Sequence, residues 1–210
     1  FKVASDPAEG ERLEREIKAV FAQVVDLYQR YLKEHPRDAR AYYELGTLYY
    51  WEGQDEDRAA SLWLRTIELD PRFDLAYNAL AVHYADAAAP DKALRFITEA
   101  LRLEPDQPVY HFNAATFLFS FRQQAMKMFG WDLRRTWREV LGHYREALRL
   151  DPELLPQVED KLVASTISVI NDELERAQGP LPTRRALELA RQLQHLLALK
   201  PDLPHTHLLM

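Results

Sequence analysis

Five short segments of this 210-residue chain end in the same way, with a run of apolar and charged residues followed by a proline. They are YLKEHP ending at Pro36, TIELDP at Pro71, ALRLEP at Pro105, ALRLDP at Pro152 and LLALKP at Pro201. Proline lacks a backbone N–H and clashes with the preceding turn, so a helix that reaches it must end. The endings recur after 35, 34, 47 and 49 residues. A nearly fixed period of this size indicates stacked helical repeats.

Each unit between two prolines contains two segments with apolar residues at helical spacing. The segment that precedes Pro71 carries Ala59, Trp63 and Ile67 on one face. The segment before that one carries Tyr42, Leu45, Gly46 and Tyr49. Each unit is therefore predicted to form a hairpin of two helices, and the small residue at position 46 lets them approach closely.

Composition fits an ordered, helix-rich protein, with 47% hydrophobic and 29% charged residues and only 6 glycines. The chain has no cysteine, which excludes disulfides, thiolate metal sites and a cysteine nucleophile. The formal net charge of −6 argues against a nucleic-acid partner. No apolar run approaches the ~18 residues that a membrane span requires. The compartment stays open between the cytoplasm and an extracytoplasmic site reached after removal of a signal peptide.

This pattern resembles the tetratricopeptide repeat, with its aromatic-x2-Leu-Gly-x2-Tyr first helix and its Ala-x3-aromatic second helix that ends at a proline. The first matching unit has Tyr42, Leu45, Gly46, Tyr49, Ala59, Trp63 and Pro71. The next unit has Tyr77, Leu80, Ala81, Tyr84, Ala93, Ile97 and Pro105. A looser third match has His111, Ala114, Ala115, Leu118, Val140, Tyr144, Ala147 and Pro152.

The resemblance implies an all-α fold, a right-handed α-solenoid of stacked antiparallel helical hairpins. Residues 1–35 are predicted to form an N-terminal capping helix and 36–105 two regular repeats. Residues 106–201 are predicted to form two divergent, elongated hairpins, and 202–210 the start of a further helix or a tail. We expect nine helices, no strand within 38–152, and breaks near residues 36, 53, 71, 89, 105, 130, 152, 180 and 201. One hairpin cannot bury its own apolar face, and stacking several hairpins builds a continuous core.

The stacking leaves over a third face on the first helix of each unit, one residue out of step with the core residues. In repeats similar to these, that face lines a concave groove that binds extended or helical peptides. The resemblance therefore implies a peptide or protein partner in contact with Tyr43, Thr47, Tyr50, Asn78, Phe112, Asn113 and Phe119. An alternative stays open, in which these side chains pack beneath the long helices of the third unit or the N-terminal helix and fill the groove.

Chaperone-binding repeats of this type clamp a terminal carboxylate with Lys, Asn and Arg on three successive first helices. The corresponding stretch here offers Tyr43, Thr47, Ala79, Val109 and Asn113. A single asparagine does not make such a clamp, so we expect no chaperone-tail receptor. Asn113 itself fits either a hydrogen bond to ligand backbone or local capping.

Residues 122–149 depart most from the repeat pattern, with seven basic and three acidic residues among several aromatics. One interpretation is a basic, aromatic surface for an acidic partner. The other is a solvated helix face whose arginines pair with neighbouring glutamates, while Trp131 and Trp137 pack the elongated hairpin. No RNA-binding motif accompanies the charge.

No phosphate-binding loop, nucleophile elbow or zinc-protease motif is present, and no nucleophile is paired with a base. The chain is therefore predicted to be a non-catalytic scaffold for protein–protein interaction, without a cofactor or a metal site. Two other hypotheses stay open. One is a structural or homo-oligomerising element with a self-filled groove, and the other is a regulatory domain of a larger enzyme or secretion component.

Overall fold

A computed structural model of the chain describes residues 7–53 and 55–176. Every regular element in these two ranges is helical, and no residue in them is in a strand. The all-α fold class is therefore confirmed. The chain divides into two compact units, the first ending at His83 and the second beginning at Tyr84.

The first unit begins with a long helix, α1 (Pro7–Glu34), which is followed by the hairpin of α2 (Ala39–Trp51) and α3 (Glu56–Leu69). Helix α4 (Asp74–Asp86) then starts in the same unit. The core of the α2–α3 hairpin contains the predicted repeat residues, among them Leu45, Tyr49 and Trp63, which are 3%, 5% and 2% exposed. The residues of the repeat motif thus form the hairpin core of the first unit.

The second unit contains α5 (Pro90–Leu103), α6 (Pro108–Ser120), the short α7 (Arg122–Phe129) and the long α8 (Leu133–Leu150). A single 3₁₀ turn (Pro152–Leu154) leads into α9 (Leu155–Arg176). Helices α6 and α8 form the main hairpin of this unit, and α9 packs on α8. Tyr144 and Ala147 of α8 are fully buried, at the positions that the looser third match predicts.

The predicted breaks near residues 36, 53, 71, 89, 105, 130 and 152 all fall between helices. Those near 180 and 201 lie outside the described residues. One break was not predicted: α6 ends at Ser120, and Phe121, with φ −109° and ψ 31°, separates it from α7. The third unit is therefore elongated by a short helix inserted after a first helix of ordinary length. Its first helix itself is not longer. Ala125 in the inserted helix is fully buried.

Aspartates mark several of the helix starts, because a carboxylate there accepts an otherwise unpaired backbone N–H. The Asp38, Asp55 and Asp132 side chains accept hydrogen bonds from the N–H groups of residues 41, 58 and 135. In the acidic run at residues 55–57, Asp55 is the helix cap, and Glu56 and Asp57 lie in the first turn of α3. The Tyr31 hydroxyl also donates to Asp38 Oδ2 at 2.8 Å, which ties the end of α1 to the start of α2.

Helices α2 and α3 approach each other closely at Gly46. A Cβ atom at this position would lie 2.8 Å from Cδ1 and Nε1 of Trp63 and 3.1 Å from the Ala59 carbonyl oxygen. The indole cannot move away freely, because it is buried and its Nε1 donates to the Tyr43 carbonyl at 3.3 Å. Glycine at this position therefore sets the distance between the two helices.

We expect Gly46→Ala to lower the free energy of unfolding by ~1–3 kcal/mol, since overpacking a close contact has a cost of this size. Gly142→Ala in α8 is the matched control, because no atom lies within 4 Å of its would-be Cβ. The control should instead stabilise the protein by ~0.5–1 kcal/mol through helix propensity. Urea unfolding of both variants gives the comparison, and equal effects would contradict the assigned helix contact.

Candidate functional site

The third face of α2 carries Tyr43, Thr47 and Tyr50, each half-buried, together with Trp51, which is 70% exposed. These residues alternate along the helix with the buried core residues Leu45, Gly46 and Tyr49. An aromatic side chain that stays this exposed on a helix whose other face is fully packed is a candidate for contact with a partner.

Tyr43 connects α2 with the start of α4. Its ring centroid lies 5.1 Å from that of Phe73, the residue before α4 begins. Its carbonyl accepts hydrogen bonds from Thr47 Oγ1 at 3.0 Å and from the Trp63 indole at 3.3 Å. Burial raises the pKa of the Tyr43 phenol, with smaller contributions from the carboxylates of Glu44 and Asp74. Tyr43 is therefore a neutral, positioned side chain and not a flexible surface residue.

Tyr50 lies between an exposed and a buried indole. Its ring is perpendicular to Trp51 at 5.0 Å and tilted on Trp63 at 5.4 Å. Aromatic pairs in such geometries are stabilised beyond their burial. The three rings form a row that runs from the surface to the hairpin core, and we call Trp51, Tyr50 and Trp63 the aromatic row.

Helix α4 adds a second set of side chains to the first unit. Leu75 is 45% exposed, and Asn78 and Val82 are half-buried at the i+3 and i+7 positions of the same helix face. This face combines apolar surface with one amide group, which can both donate and accept hydrogen bonds. The sequence predicted Asn78 at this face, and the structure adds Val82 and the exposed Leu75.

In the second unit, the predicted residues of α6 are already in contact with neighbouring helices. The Phe119 ring lies 5.5 Å from Trp137 of α8. The Phe112 ring lies 6.4 Å from Tyr144 of α8, and the Lys161 ammonium of α9 is 5.5 Å from the centroid of the same ring. Phe112, Asn113 and Phe119 are all half-buried. Phe119 thus contacts the long helix of its own hairpin, as in the alternative of a self-filled groove.

The predicted residues therefore fall into two groups. Tyr43, Thr47, Tyr50 and Asn78 belong to the first unit, whereas Phe112, Asn113 and Phe119 belong to the second. Binding of one ligand by all seven residues stays a prediction.

Two features of the structure were not predicted from the sequence. The first is a cavity of about 400 Å³ in the first unit, lined by Gln29, Leu32, Lys33, Tyr42, Leu45, Tyr49, Arg58 and Leu62. Its polar side is formed by Arg58, which donates to the Tyr49 hydroxyl at 3.1 Å. The cavity depends on how α1 is placed against the hairpin, and no local sequence signal gives that placement.

The second feature is a pair of histidines in the second unit. His111 Nε2 lies 2.7 Å from the Pro105 carbonyl, which can only accept, so this nitrogen carries the proton. In the neutral ring His111 Nδ1 then accepts a hydrogen bond from His143 Nδ1, 2.9 Å away. Burial, followed by the proximity of His111, lowers the pKa of His143 to about 4. The pair joins α6 to α8, with the two ring centroids 5.1 Å apart. The residues that the structure describes contain no group of three or more potential metal ligands.

Two of the seven basic residues in the stretch 122–149 make local ion pairs with glutamates. Arg135 pairs with Glu139 at 3.6 Å, and Arg149 pairs with Glu146 at 2.6 Å. Arg135 also lies 5.1 Å from the ring centroid of Trp131, while Trp137 is 8% exposed. These contacts match the interpretation of the stretch as a solvated helix face over a packed hairpin.

Comparison with solved structures shows the fold. The chain is similar to YrrB, a tetratricopeptide-repeat protein described as having an unusual peptide-binding site, with a TM-score of 0.58 and 16% identity. That alignment covers 94% of this chain and 87% of YrrB. A MamA structure from Desulfovibrio magneticus aligns with a TM-score of 0.58 and 14% identity, over 91% of this chain and 97% of that one. The chain thus has the tetratricopeptide-repeat fold that the sequence predicts.

Sequence comparison matches a smaller part of the chain than the structural comparison does. One stretch of 77 residues is 36% identical to the human protein O-mannosyl-transferase TMTC3. It amounts to 36% of this chain and 8% of the transferase. No family model matches the chain. None of the helices in the described ranges is long and apolar enough to cross a membrane.

The exposed and buried ends of the aromatic row should respond differently to truncation. Trp51→Ala should lower the free energy of unfolding by only ~0.5–1.5 kcal/mol, because it loses the edge contact with Tyr50 and little else. Trp63→Ala should cost ~3–5 kcal/mol, because it leaves a cavity in the hairpin core. Thermal or urea unfolding of the two variants measures the difference. A large loss in Trp51→Ala would mean that this side chain is structural.

The histidine pair should make stability depend on pH. The folded-state pKa of His143 lies below its unfolded value of ~6.5, so the unfolded chain binds more protons between these values. Stability from this group is complete above pH ~6.5 and is lost as the pH falls toward 4. The loss should amount to ~1–3 kcal/mol. In His143→Asn, which retains a donor for His111, this part of the acid destabilisation should disappear when unfolding curves at pH 4.5 and 7 are compared.

Proposed function

We propose that this chain is a non-catalytic interaction module that binds an extended peptide segment on the α2–α4 face of its first unit. The single observation that carries the proposal is the aromatic row, in which the exposed Trp51 is held by Tyr50 on the buried Trp63. A rigid aromatic anchor of this type contributes contact area and loses little side-chain entropy on binding.

The remaining groups of this face suit an uncharged segment of polypeptide. Leu75 and Val82 provide apolar contacts, and the Asn78 amide can pair with a peptide N–H and C=O. Tyr43 lies at the end of this face, next to the start of α4. Thr47 lies between Tyr43 and Tyr50 on α2. The most suitable ligand therefore has one large apolar side chain for the Trp51–Tyr50 corner and an extended backbone near Asn78.

The fold supports the general class of function. YrrB, which has the same fold, is described as having a peptide-binding site. At 16% identity this likeness concerns the fold, so peptide binding by the present chain stays our proposal. The transferase activity in the name of the human relative is not carried over, because the matched stretch is only 8% of that protein.

The α6 residues of the second unit are proposed as a separate and weaker contact surface. Phe112, Asn113 and Phe119 are half-buried, and each phenylalanine keeps part of its ring accessible beside α8. Because Phe119 already contacts Trp137, its truncation should affect stability as well as binding. Variants of α2 therefore test peptide binding more directly than variants of α6.

A selection experiment tests the proposal without a known partner. A library of random 12-residue peptides is selected on the 210-residue chain, and the dissociation constants of enriched peptides are measured by calorimetry. Tyr50→Ala combined with Trp51→Ala should weaken binding at least about tenfold, which corresponds to ~1.4 kcal/mol. The peptides should carry a large aromatic or aliphatic residue.

Leu133→Ala is the matched control, because Leu133 is 39% exposed on α8, away from α2 and α4 in the sequence. It should bind the same peptides as tightly as the wild type. If no peptide is enriched, or if the double variant binds as tightly as the control, peptide binding at this face is wrong.

A further inference from the structure

Helix α1 carries an unusual amount of exposed apolar surface for the first unit. Ile17, Val20 and Leu27 are 57%, 58% and 59% exposed, and Leu13 and Tyr31 are each 41% exposed. Together with the half-buried Val24 they follow one side of the helix. We call these six residues the α1 seam: Leu13, Ile17, Val20, Val24, Leu27 and Tyr31.

The spacing of the seam is that of a coiled coil. Successive members are 4, 3, 4, 3 and 4 residues apart, which is the alternation of a and d positions in a heptad. Ile17, Val24 and Tyr31 occupy a, and Leu13, Val20 and Leu27 occupy d. All six positions are apolar or aromatic, as the a and d positions of a coiled-coil seam require. Close to three heptads are present, which is about the minimum length for this assignment.

The seam lies beside the face of α1 that packs on the hairpin, and the half-buried Val24 is at the edge between them. The packed face contains Phe21, whose ring lies 5.8 Å from Tyr49, and the buried Leu32. These residues occupy e and b positions, and the centre of that face is about 100° around the helix from the seam. A groove of about 300 Å³ borders the first half of the seam and is lined in part by Leu48 and Glu52 of α2. A further helix can therefore lie along the seam while α1 stays on the hairpin.

We propose that the occupant of the seam is α1 of a second copy of this chain, in antiparallel orientation. In this register each a residue faces a d residue: Ile17 faces Leu27 of the partner subunit, Val24 faces Val20 of the partner subunit, and Tyr31 faces Leu13 of the partner subunit. The arrangement is its own two-fold image, as the isologous interface of a closed dimer requires.

Charges beside the seam distinguish the antiparallel from the parallel orientation. Antiparallel pairing brings g positions together, so Glu16 faces Arg30 of the partner subunit, and the two-fold axis repeats this pair. Gln23 faces its own copy across the axis. Parallel pairing would instead place Glu16 beside Phe21 of the partner subunit and Gln23 beside Tyr28 of the partner subunit, without any charge pair. Complementary charges therefore support the antiparallel dimer.

Existing ion pairs on α1 do not oppose this arrangement. Glu16 pairs with Arg12 at 3.5 Å, and Arg30 pairs with Asp26 at 3.0 Å, all with side chains more than 60% exposed. Exposed pairs within a helix are weak, and their charges stay available to a second partner. Dimer formation thus requires no buried group to lose its hydrogen bond.

Sedimentation of the 210-residue chain at concentrations from 1 to 100 µM, taken as roughly the range of moderate affinities, tests the dimer. The wild type should shift from monomer to dimer. Ile17→Asp combined with Val24→Asp should stay monomeric across this range and keep the wild-type circular dichroism spectrum. A monomeric wild type, or a dimer that persists in the double variant, overturns the proposal and leaves the seam to a different protein or to another segment of a longer chain.

A charge exchange tests the register independently. Glu16→Arg alone and Arg30→Glu alone each place like charges in both symmetric pairs, and each should raise the dimer dissociation constant at least about tenfold. The combination of the two restores opposite charges and should return the constant to within about threefold of the wild type. Failure of the combination to restore the dimer overturns the antiparallel register.

Crosslinking provides a second measure of the register, because the chain contains no cysteine. Gln23→Cys lies beside the two-fold axis and should be joined to its copy by a short bis-maleimide reagent. Ala22→Cys is the matched control, since residue 22 is exposed at an f position on the other side of the helix. Equal crosslinking of both variants would contradict the proposed interface.

Discussion

The close approach of α2 to α3 at Gly46 is the contact on which the first unit depends. It brings the Trp63 indole against the backbone of α2, where Nε1 donates to the Tyr43 carbonyl. The buried indole in turn supports Tyr50, and Tyr50 supports the exposed Trp51. A surface side chain is thus held by a core contact, and the candidate binding face inherits its rigidity from the packing of the hairpin.

Much of the fold could be predicted because its signals are local. Pro71 and Pro105 end their helices through their own covalent structure. Asp55 caps its helix because its side chain accepts a hydrogen bond from the N–H of the residue three positions later. The break at Phe121 could not be predicted in this way. No proline or glycine stands there, and Ala125, four residues after the break, is fully buried in the folded unit. Tertiary contacts decide such a break.

In the candidate site, too, some features follow from local sequence signals and others only from tertiary contacts. Helical periodicity places Tyr43, Tyr50 and Asn78 off the core face of their helices, and this can be read directly from the sequence. Whether such a side chain is accessible depends on which neighbour reaches it. Phe119 meets Trp137, which lies 18 positions along the chain, and His111 meets His143 across the same hairpin. Periodicity gives the direction of a side chain, whereas its neighbour is fixed only by the packed structure.

The inserted helix α7 shows where this architecture can grow. It occupies the turn between the two helices of one hairpin, residues 121–132, whereas α2 ends at Trp51 and α3 already begins at Glu56. Helices α6 and α8 remain paired in spite of the insertion, and Gly130, with φ 65°, redirects the chain into α8. The tip of a hairpin can therefore accept a graft of this length, such as an epitope or a reporter segment, without a change in the helix pairs that form the core.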